Sequence, residues 1–256
     1  MGWLAQLLSW CWPVRQPPAL QLPLRPPQLP APHSAALAQL CARIRLCRDI
    51  PRLLPLLQDE SGWLREAALA ACAAQPDARV IAHLPRALND PVEAVRLAAR
   101  VALRAHLHAR FASAWLAVWP QLRALHHCSR AQQRFAVWEV ERLLLRQPAL
   151  LRRDLGLRLQ TLQQAPGVPQ RAALRECLWL AAQAQALTVE ERLEYALCAD
   201  DALLAGCFCA WLMELPPAAR APWLARAMRG RAALRQRCQR ALPWLQPQAA
   251  SAVSSN

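Results

Sequence analysis

Residues 53–72 and 84–103 carry one pattern written twice, and a pattern repeated at this distance restricts the chain to architectures assembled from stacked copies of a single unit. The first copy reads LLPLLQDESGWLREAALAAC and the second LPRALNDPVEAVRLAARVAL. At an offset of 31 residues, Leu53 falls on Leu84, Leu57 on Leu88, Asp59 on Asp90, Leu64 on Val95, Arg65 on Arg96, Ala67 on Ala98, Ala68 on Ala99 and Ala71 on Ala102. Each copy holds a Leu-rich run, a polar turn opening at Asp, and an Ala/Leu run with apolar residues at helical spacing. Two antiparallel helices per copy follow from that order. One such pair cannot bury its own apolar face, so neighbouring copies must cover it.

The unit resembles a HEAT repeat of the short bacterial, armadillo-type kind. The resemblance implies an all-α fold, a right-handed α-α superhelix of about six helix pairs, and a scaffold that holds a protein partner through its surface. In HEAT-like families Asp and Arg at the matching positions ladder along the stack, which implies structural roles for Asp59, Arg65, Asp90 and Arg96. The residues agree with a local part of that: an Asp in the turn places a carboxylate oxygen near the first backbone N–H groups of the helix that follows. Ala67, Ala68, Ala98 and Ala99 are small where neighbouring helices would approach closely.

Composition supports the helical reading. Val, Ile and Thr total 11, 3 and 2 residues in 256, while Ala, Leu, Arg and Gln fill the chain, so strand formers are scarce. All 31 basic residues are Arg against 17 acids, giving a formal charge of +14 that draws the chain towards nucleic acid, acidic proteins or anionic lipid. The excess is spread along the sequence. No polybasic arm exists.

Residues 1–14, MGWLAQLLSWCWPV, are uncharged and set Trp3, Leu4, Leu7, Leu8 and Cys11 on one helical stripe, with Trp10 and Trp12 beside it. Fourteen residues make about 21 Å of helix, short of the ~30 Å hydrocarbon core. Two readings follow: a helix docked on the array or on a partner, or an interfacial anchor making a peripheral contact at the inner membrane of a cytoplasmic protein. Eight prolines in residues 13–32 make an extended linker. The expected organisation is therefore 1–32 as apolar helix plus linker, 33–246 as the helical array, and 247–256 as a polar, disordered tail. Within the array, Ser34 is placed to cap a helix over 35–48. Further helices are predicted at 110–127, 130–146, 148–163, 168–186, 188–198, 201–214, 217–228 and 231–245, and the repeat itself fades beyond His106.

Motifs for chemistry are missing. The six glycines form no phosphate loop or dinucleotide fingerprint, and no GxSxG, HExxH or nucleophilic Cys signature occurs, so no catalytic residue and no cofactor is expected. Cys207 and Cys209, two apart on a helix, point about 200° away from each other and cannot share an ion, and His126-His127-Cys128 is an incomplete ligand set. Glu190, Glu191 and Glu194 gather at a helix start, where Thr188 and Glu191 have capping-box spacing. Two enzymatic relatives of this repeat type give alternatives. DNA-alkylation-repair glycosylases use a basic concave face with Trp, Asp and Arg, and Trp63-Leu64-Arg65-Glu66-Ala67-Ala68 resembles one of their segments except at Glu66. Phycobilin lyases share the generic repeat. Trp63, Trp115, Trp119 and Trp138 are the array tryptophans expected to contact a partner. That partner is expected to be a protein, and the charge alone accounts for weak nucleic-acid affinity.

Overall fold

The computed structural model describes residues 34–125, 131–199, 201–230 and 232–245. Residues 1–32, with Trp3, Leu4, Leu7, Leu8, Trp10 and Trp12, lie outside that range, as do His126-His127-Cys128 and the tail 247–256. Among the described residues the fold is all-α: fourteen helices and one 3-10 turn, with no strand. None of these helices is long and apolar enough to cross a membrane. The helices fall into two compact units divided between Gln147 and Pro148.

The first unit begins with α1 (Ala35–Leu46), whose first turn is closed by the Ser34 hydroxyl accepting from the Leu37 N–H at 3.2 Å. Cys41 and Ile44 are buried, and α1 packs on α3 (Gly62–Ala73), the second helix of the first repeat. Its first helix, α2 (Ile50–Leu56), is short, with Pro51 in the opening turn and Pro55 inside. In the second repeat the corresponding run is split into α4 (Ala78–Ile81) and α5 (Leu84–Leu88). Pro85 explains the split: it lacks an N–H, so it opens a new helix instead of continuing an old one. The second helix is α6 (Glu93–Ala105), and α7 (Ala112–Leu125) and α8 (Ala131–Leu145) complete the unit.

Helices α3 and α6 make the most extensive helix–helix contact of the unit, for the reason the repeat suggests. Ala67, Ala68, Ala71, Ala99 and Ala102 have no exposed surface, and side chains this small let helix axes approach to the near end of the usual 8–10 Å range. The turns are close too, since a Cβ on Gly62 would stand 3.2 Å from Val92 Cγ2. Burial is not shared across every matched pair. Val95 is fully buried, whereas Leu64 is only half-buried.

His106, just past α6, joins three elements while wholly buried. Its Nε2 accepts from the Asp77 N–H at 3.0 Å, which leaves the proton on Nδ1 to bond the Ala102 carbonyl at 2.6 Å. The His106 carbonyl accepts from Trp115 Nε1 at 2.9 Å. Trp115 and Trp119 of α7 are thereby part of the core.

The second unit is built from α9 (Pro148–Gln164) against α10 (Val168–Gln183), α11 (Val189–Ala199) against α12 (Ala202–Glu214), and α13 (Pro217–Arg229) against α14 (Ala232–Leu245). The Thr188–Glu191 capping box closes reciprocally: the Glu191 carboxylate accepts from the Thr188 N–H and the Thr188 hydroxyl from the Glu191 N–H. Helix α12 is the central one, burying Leu204, Ala205, Cys207, Phe208, Trp211 and Leu212 and packing on both α11 and α14.

Candidate functional site

The Asp and Arg residues of the first two repeats form a cross-repeat joint. Asp90 stands three residues ahead of α6, and its Oδ1 accepts from the Val92 N–H at 2.8 Å; Asp59, three residues ahead of α3, does the same for the Ser61 N–H at 2.8 Å. Arg65 points from α3 across to the next turn, donating Nε–H to Asp90 Oδ2 at 2.7 Å and Nη2–H to Asp90 Oδ1 at 2.9 Å. This is the bidentate geometry in which guanidinium and carboxylate fit best. Nη1 of Arg65 also donates to the carbonyls of Asp59 and Glu60, and Nη1 of Arg96 repeats that with the carbonyls of Asp90 and Pro91. The second unit uses the same device. Arg175 of α10 reaches Asp201 at 2.9 Å, and Asp201 caps α12 through the N–H groups of Leu203 and Leu204.

Beside these joints, Gln58, Asp59, Arg65, Arg86, Asp90 and Gln121 line an open cavity of about 640 Å³. The Arg65 and Asp90 charges in its wall are spent on each other. What remains for a ligand there is mainly Arg86, and even that side chain is turned towards the Gln58 carbonyl at 3.4 Å.

A different group of charges lies between α6 and α8. Along α6, Arg96, Arg100 and Arg104 recur every fourth residue, and along α8, Arg134, Trp138 and Arg142 do the same, so each set forms a stripe on one helix face. The guanidinium of Arg100 lies 4.6 Å from the centre of the Phe135 ring and that of Arg104 lies 5.4 Å from it. Phe135 in turn meets Trp138 at 5.5 Å, and Arg142 sits 4.9 Å from the Trp138 ring centre. One acid answers this row, Glu139, which holds Arg104 Nε at 2.9 Å. Arg100 is 4% exposed, and its Nε and both Nη atoms have no hydrogen-bond partner. Burial lowers its proton affinity from the ordinary arginine value, and the Arg104 charge lowers it further against a smaller opposing pull from Glu139. A buried cation without hydrogen bonds is costly, so its stacking on Phe135 offsets only part of its desolvation. The α6–α8 row is therefore a place where negative charge would be strongly favoured.

The four tryptophans singled out from the sequence separate by environment. Trp138 is half-buried within the arginine row and Trp63 is half-buried on α3, both keeping surface for contact. Trp115 and Trp119 have none: their spacing on α7 is that of a core face, and burial removes them from any interaction surface. The cysteines are core residues of another kind. Burial pushes the Cys72 thiol up to about 11 and the Cys177 thiol up as well, which makes both poor nucleophiles at neutral pH.

Comparison of the chain with family models, curated proteins and solved structures gives no match. The chemistry of the site thus rests on its own geometry. It offers cations and aromatic faces, with no nucleophile–base pair beside them, and that combination suits recognition of an anionic surface. Sequence reasoning named Trp138 and Arg96 and passed over Arg100, Arg134, Phe135 and Glu139. A signal was present in Gln133-Arg134-Phe135-Ala136-Val137, which matches Val95-Arg96-Leu97-Ala98-Ala99 at 38 residues instead of 31.

Proposed function

We propose that the chain is a non-enzymatic HEAT-like scaffold, a right-handed superhelix of about six helix pairs, which presents the arginine and aromatic face of α6 and α8 to an acidic protein partner. The observation that carries this reading is the Arg100–Phe135–Arg104 stack, with Arg142 on Trp138 beside it: four cations and two rings on one side of the first unit, balanced by Glu139. Half-buried aromatics next to arginines are the residue types that dominate interface energetics. The cross-repeat pairs supply the rigidity such a surface needs. The N-terminal segment 1–32 supplies either a docked helix or a peripheral membrane contact to this scaffold.

A nucleic-acid interface is the second reading, favoured by the same row, since guanidinium groups and aromatic rings also suit phosphates and bases. A glycosylase of the alkylation-repair type fits less well. Asp90 is committed to Arg65, and two of the tryptophans it would bring to a lesion are in the core. For a phycobilin-lyase-like activity the site offers no particular support.

The test is affinity capture with the full-length chain from nuclease-treated and untreated lysates at about 0.15 M salt, near-physiological screening. One protein retained in both, and reduced when Trp138→Ala and Arg142→Gln are combined in the bait, is the expected result. Capture that vanishes with nuclease treatment would replace the scaffold reading by the nucleic-acid one.

A further inference from the structure

The joint between the first and second repeats shows what an arginine in this position is built to hold. Arg65 is the fourth residue of α3, Arg96 the fourth of α6 and Arg134 the fourth of α8. Each is followed by a residue and then Ala at the next position, so the three stand at equivalent places on three second helices. The residue three positions ahead of each helix reads Asp59, Asp90 and then Cys128. Only one of the two forward steps can therefore be closed by a carboxylate. Arg65 closes its step on Asp90 with Nε and Nη2. In Arg96 the Nη1 atom keeps its turn carbonyls, but Nε is buried without a partner, and Nε of Arg134 is buried without a partner as well. Residues 126–130, His-His-Cys-Ser-Arg, contain no acid that would serve as one.

We propose that Arg96 and Arg134 are the carboxylate-reading groups of this surface, each accepting an Asp or Glu side chain of an acidic partner segment between Nε and Nη2, as Arg65 accepts Asp90 within the chain. The inference rests on the scaffold reading and adds the chemistry of its partner. Both side chains are half-buried, leaving part of their surface in solvent, and the net charge of +14 favours an acidic occupant over a basic one. The spacing of the acids follows from the helices. Second helices of neighbouring pairs stand roughly 8–10 Å apart, and an extended peptide advances about 3.3 Å per residue, so acids three residues apart match adjacent arginines.

The probe is a fluorescein-labelled dodecapeptide of Gly and Ser with two Asp residues three apart, measured by fluorescence anisotropy against the full-length chain beside the same peptide carrying Asn. The Asn peptide is expected to bind at least roughly tenfold more weakly, because a carboxylate on a guanidinium fork forms two charge-assisted bonds that an amide cannot. Arg134→Gln and Arg134→Lys should each cost roughly tenfold, since Lys keeps the charge and loses the planar fork. Arg134 makes no hydrogen bond that the fold needs, so these variants remain folded, whereas Arg96→Lys is read together with its melting curve. Exposed Arg110, stacked at 4.5 Å on Phe111, provides the control variant Arg110→Gln, expected to bind as the parent does. Equal binding of the Asp and Asn peptides, or unaltered affinity in Arg134→Lys, overturns the inference. Its failure is separable from that of the scaffold reading. A captured protein partner that is indifferent to Arg134→Gln sinks this inference alone, while nuclease-sensitive capture sinks the scaffold even if the peptides are discriminated.

Discussion

Asp90 concentrates several constraints in one carboxylate. It receives both donors of the Arg65 fork, caps the turn through the Val92 N–H, and keeps only 8% of its surface exposed. Removing one partner of such a pair strands the other charge in a part-buried place, so Asp90→Ala should destabilise the first unit by about 3 kcal/mol, the low end of the range for broken buried pairs. Urea unfolding followed by circular dichroism measures it, and a loss below about 1 kcal/mol, typical of an exposed pair, would show the joint to be ornamental. His106 makes a prediction in pH. Burial, foremost, holds its imidazole below the ordinary value of 6.5, with the Arg110 charge adding to that and the Ala102 carbonyl and the Asp77 charge opposing it. The unfolded chain therefore takes up a proton before the folded one. The contribution of neutral His106 is complete above about pH 6.5 and is lost progressively as pH falls below it. Midpoints of thermal unfolding between pH 7.5 and 5.5 should fall for the parent and fall less for His106→Gln. Identical slopes would mean that other groups govern the acid limb.

At the scale of elements, α10 ends in a way that its residues do not favour. Gln185 has φ of 52°, in the left-handed region, because the chain closes a Schellman turn: the Ala186 N–H bonds the Ala181 carbonyl at 2.9 Å and the Gln185 N–H bonds the Ala182 carbonyl at 3.1 Å. Glycine holds that conformation without strain. Gln185→Gly is expected to stabilise the second unit by roughly 0.5 to 1 kcal/mol, the part of the left-handed penalty left after glycine's extra chain entropy is deducted. A lower melting temperature in this variant would mean that the Gln185 side chain makes a compensating contact. The same helix shows what could be read in advance. Its predicted span, 168–186, overran the observed end at Gln183, because a Gln-Ala-Leu tail gives no stop signal where glycine is expected. Spans marked by Pro or by acid turns fared better: 217–228 against Pro217–Arg229, and 201–214 against Ala202–Glu214. The third copy of the repeat escaped notice for a related reason. The first helix before it, α7, is longer than α4 and α5 together, and the extra seven residues are close to two helical turns of 3.6. The register of faces survives such an insertion and the fixed offset does not. Arg134 was invisible to a search at 31 residues, and with it the α8 half of the arginine row. The fate of Trp115 and Trp119 was legible only in part, since aromatic spacing on a helix says which face they share and not whether that face meets solvent or the His106 carbonyl.

For the whole molecule, what distinguishes a scaffold from a nucleic-acid binder is how the charge is employed. Of the 31 arginines, many are already engaged inside the protein: Arg65 with Asp90, Arg175 with Asp201, Arg192 with Glu214 and Arg226 with Glu194, with Arg152 paired to Glu191 as well. The formal charge of +14 still guarantees that DNA or RNA binds at low salt, so detection of a complex discriminates nothing. Salt does discriminate. Each phosphate neutralised contributes about 0.9 to the slope of log affinity against log salt, and a surface that reads phosphates alone loses its ligand steeply between 0.05 and about 0.2 M. A partner held through carboxylates on part-buried guanidinium forks and through Trp138 loses far less, because buried contacts are weakly screened and apolar contact is not screened at all. The expected outcome is that oligonucleotide affinity becomes negligible near 0.15 M salt, with no preference for damaged or mispaired bases, while binding of the captured protein partner persists there. Anisotropy titrations of labelled duplex, single strand and partner across that salt range decide it. Submicromolar oligonucleotide binding retained at 0.15 M, or release of an alkylated base on incubation with damaged duplex, would transfer the arginine row of α6 and α8 from protein recognition to nucleic acid.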